Sequence, residues 1–377
     1  MPRPTLPESN TSLTYTTPSS PPHLTHTPLP IPAPNQVLVK IHAAAINPVD
    51  IQLWGNPVIG WLAGSKEKGI GRDYSGEIVA VGEELRGKGR WEVGDEVFGL
   101  CNRPMAEGTF THFLAITPST DPVAKKPSSL PHTTAAAIPL VALTAYACLD
   151  WLPPAHLSPN CNSDTATDNR RHIIIAGASG GVGTYCLQLA RRLHNCHITA
   201  ICSSANASFV RSLGADTVID YTTHDVPATL LSQRPGRGDN DSGKYDLYID
   251  CVGGTHMFDY WTQLLHPQAA YVTIVGDKTA RTSMGGPLTY FTYPRQVARY
   301  VWGWLRGPRY ANVLLFQKSE LLDQVAGLVD MGEVKVEVQD VVKGILDEGG
   351  CEEAWDKVLA YMVGGRVRGK IVVDLEG

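Results

Sequence analysis

The sequence predicts an α/β protein: an irregular all-β region joined to a doubly wound parallel sheet. Three observations carry that expectation. From residue 172 onward, apolar strand-like runs alternate with helix-like stretches. The first of these runs leads into a glycine cluster, "IIIAGASGGVG", at residues 173–183. The first 135 residues instead hold short β-type runs separated by Gly, Pro and Asn turns.

A chain of 377 residues, 43% hydrophobic and 18% charged, has material for two domains with full cores. The net charge is −5, with 32 basic and 37 acidic residues well mixed, so the expectation is no nucleic-acid partner. Residues 1–34 hold ten prolines and many Ser and Thr. They read as a ragged N-terminal arm with one strand near Ser12–Tyr15. They have neither the apolar core of a signal peptide nor the repeated arginines of a transit peptide. The expected location is the cytoplasm, with mitochondrial or lipid-surface association left open.

The β region follows in "QVLVKIHAAAIN", "GEIVAVGEE", "GDEVFGL" and "GTFTHFLAI". The apolar stretch Ala135–Leu149 is shorter than the roughly 20 residues of a membrane span and reads as a buried helix. The parallel sheet is expected to use His172–Ala176, His197–Cys202, Thr217–Ile219, Tyr245–Asp250 and Tyr271–Val275. Helices are expected at Gly183–Leu193 and Ser208–Leu213. Polar inserts at 158–171 and 233–244 read as surface loops. A helix Ser319–Val329, a strand Val334–Val338, a helix Glu352–Met362 and a strand Lys370–Leu375 then return to the β region. The boundaries that follow are 1–34 for the arm, 35–145 with 318–377 for a catalytic β domain, and 146–317 for a dinucleotide-binding domain. The cleft between the two domains is the default site.

Eight cysteines, none in a CxxC pair, read as reduced and buried, which also argues against a structural zinc cluster.

In the glycine cluster, Ala178 takes the first slot of the dinucleotide fingerprint, Gly180 the second and Gly183 the third. Gly180 admits the pyrophosphate to the backbone, and Gly183 lets helix pack on strand. The phosphates then meet free N–H groups at a helix N-terminus. The competing reading is a tight turn with no ligand. No Asp or Glu occurs from Thr184 to Ala215 to read a free ribose 2′-hydroxyl. The second strand ends in "CSSAN", whose Ser203, Ser204 and Asn206 suit a phosphate. The expected cofactor is therefore NADPH. Arg211 either adds charge there or lies on a solvated helix face.

Eight segments stand out along the chain: "AAAINPVDIQLW", "GRDYSGEIVAVG", "WEVGDEVFGL", "AAAIPLVALTAYACL", "IIIAGASGGVG", "SLGADTVIDY", "YDLYIDCVGG" and "GRVRGKIVVDL". From about residue 35 to 375 the chain resembles the zinc-free quinone oxidoreductase branch of the medium-chain dehydrogenases/reductases. Fungal trans-acting enoyl reductases are also similar, especially at "INPVD". The resemblance implies a GroES-like catalytic domain beside a Rossmann domain. It puts Asn47 to Asp50 by the nicotinamide half, and Ser179, Gly180, Gly181 and Val182 on the pyrophosphate. It puts Ser203, Ser204 and Asn206 on the 2′-phosphate and Tyr221 near the adenosine. Val252 and Gly253 would lie close to the cofactor's middle, and Lys370 would reach it from the far side; Gly276 is a further expected cofactor-binding position. Tyr221 as a strand-end aromatic and Lys370 as an exposed strand-start lysine are the plainer alternatives.

Zinc-dependent relatives carry a cysteine ahead of the aspartate of the first motif and Gly-His-Glu in the second. Here the first reads Asn47-Pro48-Val49-Asp50 and the second Gly71-Arg72-Asp73, so no catalytic zinc is expected. Without a Lewis acid, a conjugated acceptor is an easier target than an isolated ketone, because its developing charge is delocalised. The expected activity is zinc-independent hydride transfer from NADPH to a hydrophobic quinone or α,β-unsaturated (enoyl) carbonyl. Asn47 and Thr144 are the candidates to orient nicotinamide or acceptor oxygen, and Asp50 to fix a ribose hydroxyl or the loop. Asn47 as a turn former and Thr144 as a threonine bonding its own helix are the alternatives. No residue stands out as a general acid, which leaves water. The competing function is a cofactor-binding scaffold or trafficking protein with little turnover.

Residues 293–310, "YPRQVARYVWGWLRGPRY", read as a helix between Pro294 and Gly307-Pro308. Its aromatic content exceeds that of an ordinary solvated face. The expectation is a lid over a bulky apolar acceptor. A homodimer interface, with "NVLLF" at 312–316 as a strand, and a peripheral membrane helix remain alternatives.

Overall fold

The computed structural model describes residues 6–376 apart from 104–105, 160, 162–169, 236–242, 279–281, 283–290 and 292. The two polar inserts fall largely outside the described residues.

The N-terminal stretch is not an arm. β1 (Ser9–Tyr15) and β2 (His23–Pro28) form an antiparallel hairpin. Leu13 and Tyr15 are buried, and Asn10 exchanges two side-chain hydrogen bonds with the Phe113 backbone. Its prolines concentrate in the turn and after β2, where missing N–H groups cost no ladder bond.

β3 (Val37–Ile46) runs into α1 (Pro48–Trp54), with Pro48 at the first helical position. α2 (Pro57–Ala63), β4 (Lys68–Gly69) and β5 (Asp73–Val81) follow. Then come β6 (Glu96–Leu100), β7 (Phe113–Ile116) and β8 (Val123–Lys125). The stretch read as one apolar helix is α3 (His132–Ala135) and α4 (Pro139–Leu149), buried as expected.

The second domain opens with β9 (His172–Ala176), α5 (Gly181–His194) and β10 (His197–Cys202). It continues through α6 (Ala207–Ser212), β11 (Thr217–Asp220), α7 (Val226–Ser232) and β12 (Tyr245–Asp250). α8 (Trp261–Leu264), β13 (Leu265–Thr273), α9 (Arg295–Arg306) and β14 (Arg309–Asn312) complete it. Its six strands are parallel in the order β11-β10-β9-β12-β13-β14. This is the doubly wound order that opens a crevice beside β9. Ile173, Ile174 and Ile175 are all fully buried, because helices cover both faces of a parallel sheet. Burying each such side chain is worth about 1.5–3 kcal/mol.

The tail contributes α10 (Ser319–Asp330), β15 (Val338–Val342), α11 (Cys351–Gly364) and β16 (Lys370–Asp374). β15 starts where the expected strand Val334–Val338 ends, because it pairs from Val338 onward with β16. β16 and β15 join β3, β5, β6 and β8 in one sheet, with β7 on β3. α10, expected with the catalytic domain, buries Leu322, Val325 and Val329 in the same core as α4 and α5.

α9 runs antiparallel to β14. Gln296 reaches Asn312, and Gly303 packs against Pro308 and Arg309. β14 is parallel to its neighbours, so Arg309 marks the end of the sheet opposite the crevice. Trp302 and Trp304 therefore lie toward that far end, and the lid expectation fails on this geometry. "NVLLF" is no strand either. Only Asn312 belongs to β14, and Leu314 is largely exposed.

Candidate active site at the domain junction

The glycine loop is built as the fingerprint requires. Gly177 has φ +74° beside Cys251 and Val252. A Cβ on Gly183 would stand 2.3 Å from the Gly177 carbonyl, so only glycine lets α5 sit on β9 here. Thr184 N–H is bonded back to Gly180 inside the helix, and the first-turn N–H groups ahead of it face the crevice end. Gly369 N–H donates to the Ser179 carbonyl at 3.0 Å, and Gly180 bridges Gly369. The residue before β16 is thereby bonded directly to the glycine loop.

Next to this loop the structure gathers three of the expected side chains. Asn206 Nδ2 lies 3.2 Å from Ser179 Oγ and 3.4 Å from Ser203 Oγ. Ser204 beside them is exposed. Tyr221, just past the end of β11, is 57% exposed. Asp220, a carboxylate that the sequence reading did not weigh, is occupied by Thr222 and Ser204, which hold its carboxyl below the usual range.

Val252 and Gly253 are shaped by Asp250, whose Oδ1 accepts both of their N–H groups at 2.9 and 2.8 Å. Thr273 Oγ1 does the same for Val275 and Gly276 at 3.2 and 2.9 Å. These two turns meet: a Cβ on Gly253 would touch Val275, Gly276 and Lys278. Lys278 is a residue the sequence reading missed. Burial alone pushes its amine down to about 8.

The residues around Asn47 are placed differently from expectation. Asn47 is 0% exposed. Its Nδ2 donates to Asp73 Oδ2 at 2.8 Å, and its Oδ1 accepts from Lys370 Nζ. Lys370 Nζ also donates to the Ile46 carbonyl at 3.0 Å and to Asp73 Oδ2 at 3.1 Å. Asp73 Oδ1 accepts the Leu140 N–H at the start of α4 at 2.8 Å. Lys370 is thus not an exposed strand-start lysine: its ammonium is bonded to three protein acceptors, and Asn47 is buried with its amide bonded on both sides. They form one buried, charge-balanced knot that ties β3, β5, β16 and α4 together. Thr144 donates to the Leu140 carbonyl at 2.7 Å, so its proton is spent on its own helix and only its lone pairs can serve a ligand.

Asp50 Oδ2 accepts the Asn47 N–H at 2.8 Å, which fixes the start of α1. Its Oδ1 has no hydrogen bond among the described residues and faces Arg72 Nε at 3.5 Å. Burial raises this carboxyl to about 6 against the opposing pull of Arg72. Asp50 is therefore a structural cap beside the crevice rather than an open ribose ligand.

The zinc motif positions thus hold an amide, Asn47, and a guanidinium, Arg72, with the Lys370 ammonium bonded between Asn47 and Asp73. Two fixed cations and a neutral amide do not fit a zinc ion, which needs three anionic or imidazole donors. Among the described residues, no group of three His, Cys, Asp or Glu is placed to hold a metal.

Residues 33–127 match the family model of the alcohol dehydrogenase GroES-like domain, and residues 213–373 that of zinc-binding dehydrogenases. A bovine protein, the mitochondrial NAD(P)H oxidoreductase RTN4IP1, is 31% identical over 362 residues, covering 91% of this chain and 82% of its own. The trans-enoyl reductase pgmF of Aspergillus terreus is 30% identical over 348 residues, covering 91% and 87%. The solved quinone oxidoreductase of Coxiella burnetii superposes with a TM-score of 0.72 at 23% identity, over 98% of this chain and 100% of that one.

Proposed function

Since the chain belongs to the medium-chain dehydrogenase/reductase family, as an oxidoreductase of its quinone oxidoreductase-like branch, we propose that it is an NADPH-dependent, metal-independent reductase of conjugated acceptors. The single observation that carries this reading is the knot of Asn47, Asp73 and Lys370 beside the Arg72–Asp50 pair. It sets an amide and a guanidinium at the metal motif positions, with the Lys370 ammonium bonded beside them, a donor set that does not suit a Lewis-acid metal for polarising an isolated carbonyl. A hydrophobic quinone or enone, which spreads charge over several atoms, suits such a site.

Bound in the crevice, NADPH supplies a hydride. The first turn of α5 holds its pyrophosphate. Ser203, Ser204 and Asn206 present neutral donors to the 2′-phosphate, a group that a carboxylate in their place would repel. Val252, Gly253 and Gly276 form the floor under the cofactor's middle. Lys278, two residues past Gly276 and with its backbone carbonyl against Gly253, has its amine lowered to about 8 by burial and is the candidate to return a proton to the reduced acceptor. The name of the bovine relative extends the expected location from cytoplasm to mitochondrion.

A panel assay tests this reading. NADPH consumption should be seen with quinones and enones and be absent with their saturated ketone analogues. Turnover with none of them would favour the scaffold reading instead.

A further inference from the structure

We propose that the outward face of α9 docks on an anionic lipid surface. The helix is amphipathic in the inverse sense. Its inner side is polar: Gln296 Oε1 accepts from Tyr310 Oη at 2.8 Å and Asn312 Nδ2 at 3.1 Å, and Arg299 pairs with Asp277 through two bonds of 2.6 and 2.7 Å. These contacts fix the rotation of the helix. Val297, Tyr300, Val301, Trp304 and Leu305 are consequently held outward, with Trp304 79% exposed. An ordinary surface helix buries such a stripe.

Charge identifies the occupant. Between Asp277 and Glu320 the sequence has no acidic residue and carries seven Lys or Arg, in a chain whose net charge is −5. Arg295 and Arg306 lie across the helix from the centre of that stripe, on the flank they share with Trp302 and Arg299; both are exposed, Arg306 packs on the Trp302 ring, and neither makes an ion pair among the described residues. Arg309 follows at the same end and is also exposed. Tryptophan beside arginine, apolar ring inward and cation at headgroup level, is the composition of a helix lying in a membrane interface. A two-fold contact between copies would set these cationic patches against each other, whereas anionic headgroups neutralise them.

The test uses the purified full chain with vesicles of phosphatidylcholine alone or mixed with phosphatidylserine. Sedimentation should show binding to the mixed vesicles that is roughly tenfold stronger than to the neutral ones and is lost at high salt. The double variant R295E/R306E should abolish that preference while binding NADPH as before. Brominated acyl chains should quench the fluorescence of the native protein, and quench the W304F variant less, which reports insertion without relying on a disruptive substitution. Equal binding to both vesicle types, no binding to either, or a dimer in sedimentation analysis that the W304A variant splits would each overturn the proposal.

Discussion

Lys370 Nζ stands 3.1 Å from Asp73 Oδ2, and both side chains are buried. The two residues are 297 positions apart, on β16 and β5, and Asn47 bridges them. Replacing Lys370 with Met leaves buried Asp73 with only the Asn47 amide and the Leu140 N–H, and without its cation. The expected loss of stability is about 3–5 kcal/mol. Adding D73N to K370M should recover part of that loss, measured by denaturant unfolding. Additive losses would mean that the two residues do not share one network.

Asp50 gives the protein a pH dependence of known sign. Its carboxyl is raised to about 6 by burial, so between pH 4 and pH 6 the folded state keeps a proton that the unfolded state has released. The stability associated with that proton is full at low pH and is lost as pH rises through about 6. The amount is about 3 kcal/mol. The D50N variant should lose this slope. An unchanged slope in D50N would assign it to another group.

Cofactor choice follows from the cluster around Asn206. NADPH should bind at least roughly tenfold more tightly than NADH, and S203D should reverse the order by setting a carboxylate against the 2′-phosphate. Equal affinities in the native protein, by titration, would remove this reading.

Burial lowers the amine of Lys278 to about 8. If its ammonium supplies the proton, the rate should fall as pH rises through that value. K278M should lose this alkaline limb along with roughly a hundredfold or more of the rate. A K278M variant with the native pH profile would return the role to water.

Much of this architecture is legible in the sequence because parallel strands buried on both faces read as unbroken apolar runs, as at Ile173–Ile175. The glycine loop is legible because each of its glycines answers a local steric demand. The hairpin is legible only in part: the strand expected near Ser12–Tyr15 is the end of β1, but β2 is dominated by His, Thr and Pro, and the bonds that anchor β1 come from distant Phe110 and Phe113. Asn47 and Lys370 are singled out by the sequence, yet the partners they bond in the structure are hidden there. Bonds that join positions hundreds of residues apart leave no local pattern. The orientation of α9 was hidden for a related reason. Periodicity finds the two faces, but only Arg299–Asp277 and Gln296–Asn312 decide which one turns outward.

The central claim is hydride transfer to a conjugated acceptor without a metal. It is tested most directly by incubating chelator-treated, zinc-free protein with NADPH deuterated at the transferring position and an α,β-unsaturated ketone, then analysing the product. The account predicts a saturated ketone carrying deuterium at the β-carbon, at the same rate before and after zinc removal. An allylic alcohol deuterated at the carbonyl carbon, or a rate that depends on added zinc, would contradict it.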